Sequence, residues 1–177
     1  TSVGAGGVSS GGFSSTFGYT AKSDKEAQAS LAGGNFGVVG DAQFSTMVAR
    51  ATTTSATPAV LGLGLYSTAL ITLPANSSGR ARVTITARRA TAGGESMTWV
   101  RDVAWQRGVA ASTTTVDVQT VGTDRGYAGG AWGAGPAWAI AITADATNGA
   151  MAITATGVAA TNIRWVATIQ WAEVTYA

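Results

Sequence analysis

The chain has 177 residues, a formal charge of +2 and neither cysteine nor histidine. That excludes a disulfide framework, thiolate metal sites, imidazole-bound metals and every Ser-His or Cys-His nucleophile pair. So small a charge does not by itself point to nucleic acid, and no run of about 18 apolar residues offers a membrane span.

The N-terminus lacks the basic region and apolar core of a signal peptide, and Thr1 in place of Met suggests a fragment whose true start is missing. Residues 1–42 hold ten of the 24 glycines and only nine larger apolar side chains, among them Phe13, Phe17, Leu31 and Phe36. So little apolar surface does not offset the entropy of ordering such a segment alone. It is therefore either a disordered tether or a segment that shares a core with other copies of itself. Ser15-Thr16-Phe17-Gly18 recurs as Ser30-Leu31-Ala32-Gly33, fifteen residues on, with the small residues that a tightly wound multi-chain structure requires. Between the two copies, residues 22–30 suit a short helical turn with solvated charges.

From Gln43 the texture changes to strands. Residues 43–50 form the first, ending at the polar run 51–58; residues 60–66 and 69–73 follow, closed by a turn over 74–79. In 80–88, Ala81, Val83, Ile85 and Ala87 point one way and the arginines and threonines the other, as in a half-buried antiparallel strand. Gly93-Gly94 turns the chain into 95–107, where Met97, Trp99, Val103 and Trp105 share a face; Arg101 interrupts it and admits a bulge. Residues 112–121 suit a further strand. Residues 137–157 read as a hairpin on a two-residue type I′ turn at Asn148-Gly149, which sets Ala144 opposite Ile153, Ile142 opposite Ala155 and Ala146 opposite Met151. The final strand, 162–176, places Ile163, Trp165, Ala167, Ile169 and Trp171 on one face. About nine strands with short polar connections indicate an all-β fold. The expected architecture is an antiparallel, jelly-roll-like β-sandwich over 43–177, preceded by a glycine-rich segment over 1–42.

Five acids of the β-domain are available for pairing: Asp102, Asp117, Asp124, Asp145 and Glu173. No spacing among them favours a two-carboxylate glycosidase, and no Asp/Asn-rich loop of the EF-hand type appears. Catalytic residues, metal and cofactor are accordingly all read as none, and the chain as a non-enzyme. The stretch most like a binding element is 123–138, a long Gly-rich loop with Arg125, Tyr127 and Trp132 as candidate receptor contacts. Aromatic side chains there suit recognition of sugars or proteins, or pack back onto the sandwich or a neighbouring subunit. Trp99, Trp105, Trp165 and Trp171 sit in strand patterns and read as core or interface.

The order of motifs is itself informative: Ser-x-x-Gly repeats, Gly40-Asp41-Ala42-Gln43, Val48-Ala49-Arg50-Ala51-Thr52, Leu70-Ile71-Thr72-Leu73-Pro74, the 145–149 turn and Ile163-Arg164-Trp165-Val166-Ala167. In this it resembles the C-terminal part of bacteriophage tail fibre proteins, and residues 1–42 are similar to the glycine-rich repeats of trimeric bacterial adhesin heads. The resemblance implies a homotrimer with a thin stalk over 1–42 and a tip domain over 43–177. It implies an extracellular virion tail protein that attaches to a bacterial surface glycan or outer-surface protein, without nucleic acid or membrane insertion. Two rivals stand beside it: a purely structural virion part, and a glycan-degrading tailspike.

Overall fold

The computed structural model describes residues 1–65, 67–91 and 94–176. Among them, eleven strands have three or more residues: β1 (Ser15–Tyr19), β2 (Ala29–Gly33), β3 (Ala42–Thr53), β4 (Ser77–Arg89), β5 (Ser96–Arg107), β6 (Thr115–Thr120), β7 (Arg125–Ala128), β8 (Ala131–Gly133), β9 (Ala139–Asp145), β10 (Ala150–Thr156) and β11 (Ile163–Thr175). The class is all-β, as expected; the helical content among these residues is one 3₁₀ turn, Ala111–Thr113.

Strict alternation in β4 and β11 organises the larger sheet. Ala81, Val83, Ile85 and Ala87 are buried and lie in register with Trp171, Ile169, Ala167 and Trp165. A slip of one residue would drive Arg80, Arg82 and Arg88 into the core, so the register is strongly specified. The sheet runs β1-β2-β3-β11-β4-β5, and β6 and β7 share the far edge of β5. A smaller sheet of β9, β10 and the short strands Ala59–Val60 and Ile71–Thr72 covers the inner face. The layers are unequal, and the outer face of β3, β11, β4 and β5 stays open to solvent.

Tryptophans fill the space between the layers. Trp99 stacks on Trp165 at 5.6 Å, Trp138 tilts against Trp165 at 5.9 Å, and Trp105 meets Trp171 at 5.6 Å. The four strand tryptophans are core residues, in line with their pattern.

Several local expectations are corrected. The hairpin pairs Ala144 with Met151 and Ile142 with Ile153, so its loop has four residues, 146–149. The Asp145 carboxylate sets this: it accepts N–H bonds from Thr147 (3.1 Å) and Asn148 (3.0 Å), while Gly149 alone takes the positive φ, +64°. The shift is two residues, so each side chain keeps its face. No bulge occurs at Arg101, because β4 and β5 pair without a break and Arg101 turns to an ion pair described below. β3 runs on through Thr53, whose hydroxyl accepts the Trp165 indole N–H at 2.9 Å. Tyr66, in the strand expected over 60–66, and Gly93, in the expected Gly93-Gly94 turn, lie outside the described residues.

The N-terminal segment is a parallel ladder. Ser2 pairs with Thr16 and Thr16 with Ser30, so the repeat is fourteen residues, not fifteen. No helical turn forms over 22–30: Lys22–Ser23 pairs with Val8–Ser9, and Gln28 Oε1 accepts the N–H groups of Asp24 and Lys25 at 3.0 Å each. Inside the ladder, hydroxyls take the place of apolar side chains. Ser23, Ser30 and Ser45 are linked in series at 2.9 Å, Gln28 Nε2 donates to Ser45 at 3.0 Å, and Ser23 donates to the Ser15 carbonyl at 2.6 Å. The last rung, β2, pairs with β3 through Leu31 and Phe44, so the sheet is continuous across residue 42.

Candidate functional site

The stretch 123–138 is not an open loop; it folds into the small hairpin β7-β8. Its turn is Gly129-Gly130, with φ of +60° and +85°, the type I′ geometry that the sequence had suggested for Asn148-Gly149. A close backbone approach holds its base down: a Cβ on Gly126 would lie 2.2 Å from the Cα of Gly135 and 2.8 Å from the Met97 sulfur.

The hairpin's outward face carries all three candidate residues. Arg125 pairs with Thr98 of β5, Tyr127 with Ser96, and Tyr127 lies opposite Trp132 on β8. The Tyr127 and Trp132 rings meet edge to face at 5.4 Å, so the tyrosine braces the indole. Trp132 is nevertheless 64% exposed. Arg125 and Trp132 line one open cleft of about 460 Å³ together with Thr98, Val100 and Thr123. Tyr127 does not line it; it backs the residue that does. Sequence reasoning missed Thr98 and Val100, which reach the cleft through the pairing of β5 with β7; Thr123 lies at the start of the singled-out stretch but was not among its three named contacts.

A partly buried ion pair fastens this cleft. Arg101 donates to both oxygens of Asp124, at 2.6 and 2.8 Å, and to the Val100 carbonyl at 2.9 Å. Asp124 sits between Thr123 and Arg125, so the pair fixes the strand that delivers both. Among the described residues, the Arg125 guanidinium has no acidic partner. An exposed indole, an available guanidinium and two hydroxyls make a surface on which a sugar ring can stack and hydrogen-bond.

A second polar site lies where the N-terminal ladder meets the larger sheet. Glu173 on β11 is buried, accepts Gln43 Nε2 at 2.5 Å and leaves Oε2 without a partner beside a cavity of about 100 Å³. Lys25 covers it, with its ammonium 5.3 Å from the Trp171 ring centroid and 2.8 Å from Asp24. Burial pushes the Glu173 carboxyl up, against the pull of Lys25 and the bond from Gln43. Burial also acts to raise Asp24, but Lys25 and Lys22 outweigh it and hold that carboxyl low.

The sign of linkage follows. Stability contributed by Glu173 is fully present below the ordinary carboxylate range and is lost as pH rises through its raised value. Asp24 acts oppositely, losing its contribution as pH falls. Urea midpoints measured from about pH 4 to about pH 8 should therefore decline more for the wild type than for Glu173→Gln. Parallel profiles would show that Glu173 does not titrate in that window.

The remaining acids are dispersed. Asp102 pairs with Arg80 at 3.0 Å, Glu95 with Arg89 at 3.6 Å, and Asp145 caps its own turn. Asp117 stands 3.5 Å from the Gln119 amide. Among the described residues, no group of three or more acidic side chains is placed to hold a metal ion.

No family model and no curated protein matches the chain. Among the solved structures to which the chain is weakly similar are two tailspike proteins. One is the tailspike protein gp49 of Acinetobacter baumannii bacteriophage Fri1, a capsular polysaccharide depolymerase: TM-score 0.41, 11% identity, over 88% of this chain and 27% of that one. The other is the tailspike protein of Acinetobacter phage vB_ApiP_P1: TM-score 0.32, 13% identity, over 96% of this chain and 37% of that one. The chain thus spans about a quarter to just over a third of their lengths. The expectation of a non-enzyme is corrected here, since the Fri1 protein is itself an enzyme and the likenesses lie among tailspikes.

Proposed function

We propose that the chain is a host-attachment part of a bacteriophage tail that holds a bacterial surface glycan in the cleft between β5 and the β7-β8 hairpin. The observation that carries this is Trp132, a large ring held out to solvent by Tyr127 beside the available Arg125. A braced aromatic platform binds at little entropic cost, because its rotamer is already set.

Assembly as a homotrimer belongs to the same proposal. Val3, Phe17, Leu31 and Phe44 form an exposed apolar column across the ladder and onto β3, aligned by strand register. Contiguous apolar surface of this kind marks an interaction face. Three copies would also present three clefts on one rigid body, so that weak sites add through avidity.

The test is fluorescent staining of a panel of encapsulated bacterial isolates by the purified chain, with light scattering on the same sample. Wild type should stain a subset of isolates at a mass about three times that of the 17.7 kDa chain. Tyr127→Ala with Trp132→Ala should weaken staining at least about tenfold with the fold intact, about 1.4 kcal/mol. Unchanged staining would remove the cleft from the proposal, and a monomer would remove the trimer.

A further inference from the structure

The open face of the larger sheet concentrates positive charge. Arg50, Arg80, Arg82, Arg88, Arg125 and Arg164 project from it against Asp102 and Asp117, on a chain whose formal charge is only +2. Some of these are spoken for: Arg80 pairs with Asp102, and Arg50 donates to the Gly64 and Leu65 carbonyls.

Arg88 and Arg164 are different. They lie directly opposite each other on β4 and β11, both exposed, and neither guanidinium makes a hydrogen bond or ion pair among the described residues. With Arg89, Ala90 and Thr91 they line a cleft of about 350 Å³. Arg89, the third arginine of this cleft, is paired with Glu95. Like charges directly opposite on a sheet oppose folding, and among the described residues no acidic side chain pairs with either. Two guanidinium forks side by side match the oxygens of a carboxylate or phosphate.

Register connects this pair to the aromatic platform. Arg164, Arg88, Ser96, Tyr127 and Trp132 succeed one another across five adjacent strands on the same face. At a strand spacing of ~4.8 Å, Arg88 stands about 14 Å from Trp132, backbone to backbone.

We propose that Arg88 and Arg164 bind the anionic group of an acidic glycan, carried as carboxylate or phosphate, whose chain crosses the strands to the Trp132 cleft. This rests on the surface-glycan reading above and adds the charge class of the ligand.

The test measures binding of oligogalacturonate (carboxylate), phosphomannan (phosphate) and neutral dextran to the intact chain at two salt concentrations. Wild type should bind at least one anionic glycan, less tightly at high salt, and dextran at least tenfold more weakly. Arg88→Gln with Arg164→Gln should lose at least tenfold in anionic-glycan affinity, show a shallower salt dependence and unfold at no lower temperature. Equal binding of dextran, wild-type affinity in the Gln pair, or tighter capture of duplex DNA than of either glycan would overturn the inference. Bacterial staining that survives in the Gln pair but fails in the Tyr127/Trp132 variant would remove this inference alone. Staining that survives in the Tyr127/Trp132 variant removes the cleft reading instead.

Discussion

Trp165→Ala should lower the free energy of unfolding by about 3–5 kcal/mol. Trp165 has no exposed surface, stacks on Trp99, touches Trp138 and donates its indole N–H to Thr53. Truncation removes a large buried surface, leaves a cavity between the two sheets and orphans the Thr53 hydroxyl in one step. A domain of this size has about 5–15 kcal/mol to lose, so this one change removes a large share of it. Trp165→Phe keeps most of the packing and forfeits the hydrogen bond, which should cost about 1–2 kcal/mol. Urea unfolding followed by circular dichroism reads both. A loss under about 1 kcal/mol for the alanine variant would mean that the layers collapse onto the cavity, contrary to rigid packing of the tryptophans.

Asp124→Ala should cost about 2–3 kcal/mol and weaken glycan binding as well. Removing one partner of a buried pair costs about 3–5 kcal/mol, because the remaining charge is stranded. Arg101 is 11% exposed and Asp124 29%, so solvent relieves part of that penalty. The effect on binding comes through position rather than contact, since Thr123 and Arg125 flank Asp124 and both line the cleft. Arg101→Met combined with Asp124→Leu should recover most of the stability while leaving binding impaired. Denaturation midpoints and glycan affinity, measured on the three variants, separate the two roles. Full recovery of binding in the double variant would show that the ion pair does not position the cleft.

Legibility in the sequence followed burial. Where one face of a strand is dry and the other wet, as in β4 and β11, alternation names the inward residues, and Ala81 to Ala87 and Ile163 to Trp171 are where the pattern puts them. Turns were harder to read, because one polar side chain can outcompete a backbone preference. Asp145 captures the N–H groups ahead of Asn148-Gly149 and lengthens that loop, while Gly129-Gly130 makes the type I′ turn amid small residues with no alternation to announce it. The ladder of residues 1–33 was obscure because its interior is hydroxyl rather than apolar, so hydrophobic periodicity has nothing to detect. Of the candidate site, the residues within 123–138 could be named, since aromatic and basic side chains in a Gly-rich stretch stand out. Thr98, Val100 and the Arg88–Arg164 pair could not, because only the pairing of strands distant in sequence brings them to one face.

The fourteen-residue ladder behaves as a ruler. Residues 15–28 enter and leave one strand spacing apart, so each such unit lengthens the ladder by a single step of ~4.8 Å. Duplicating or excising one unit would leave the Leu31–Phe44 junction and everything beyond it untouched. The reach of the Trp132 cleft from the start of the ladder is thus quantised: it changes by whole rungs, counted in the gene, and not by stretching.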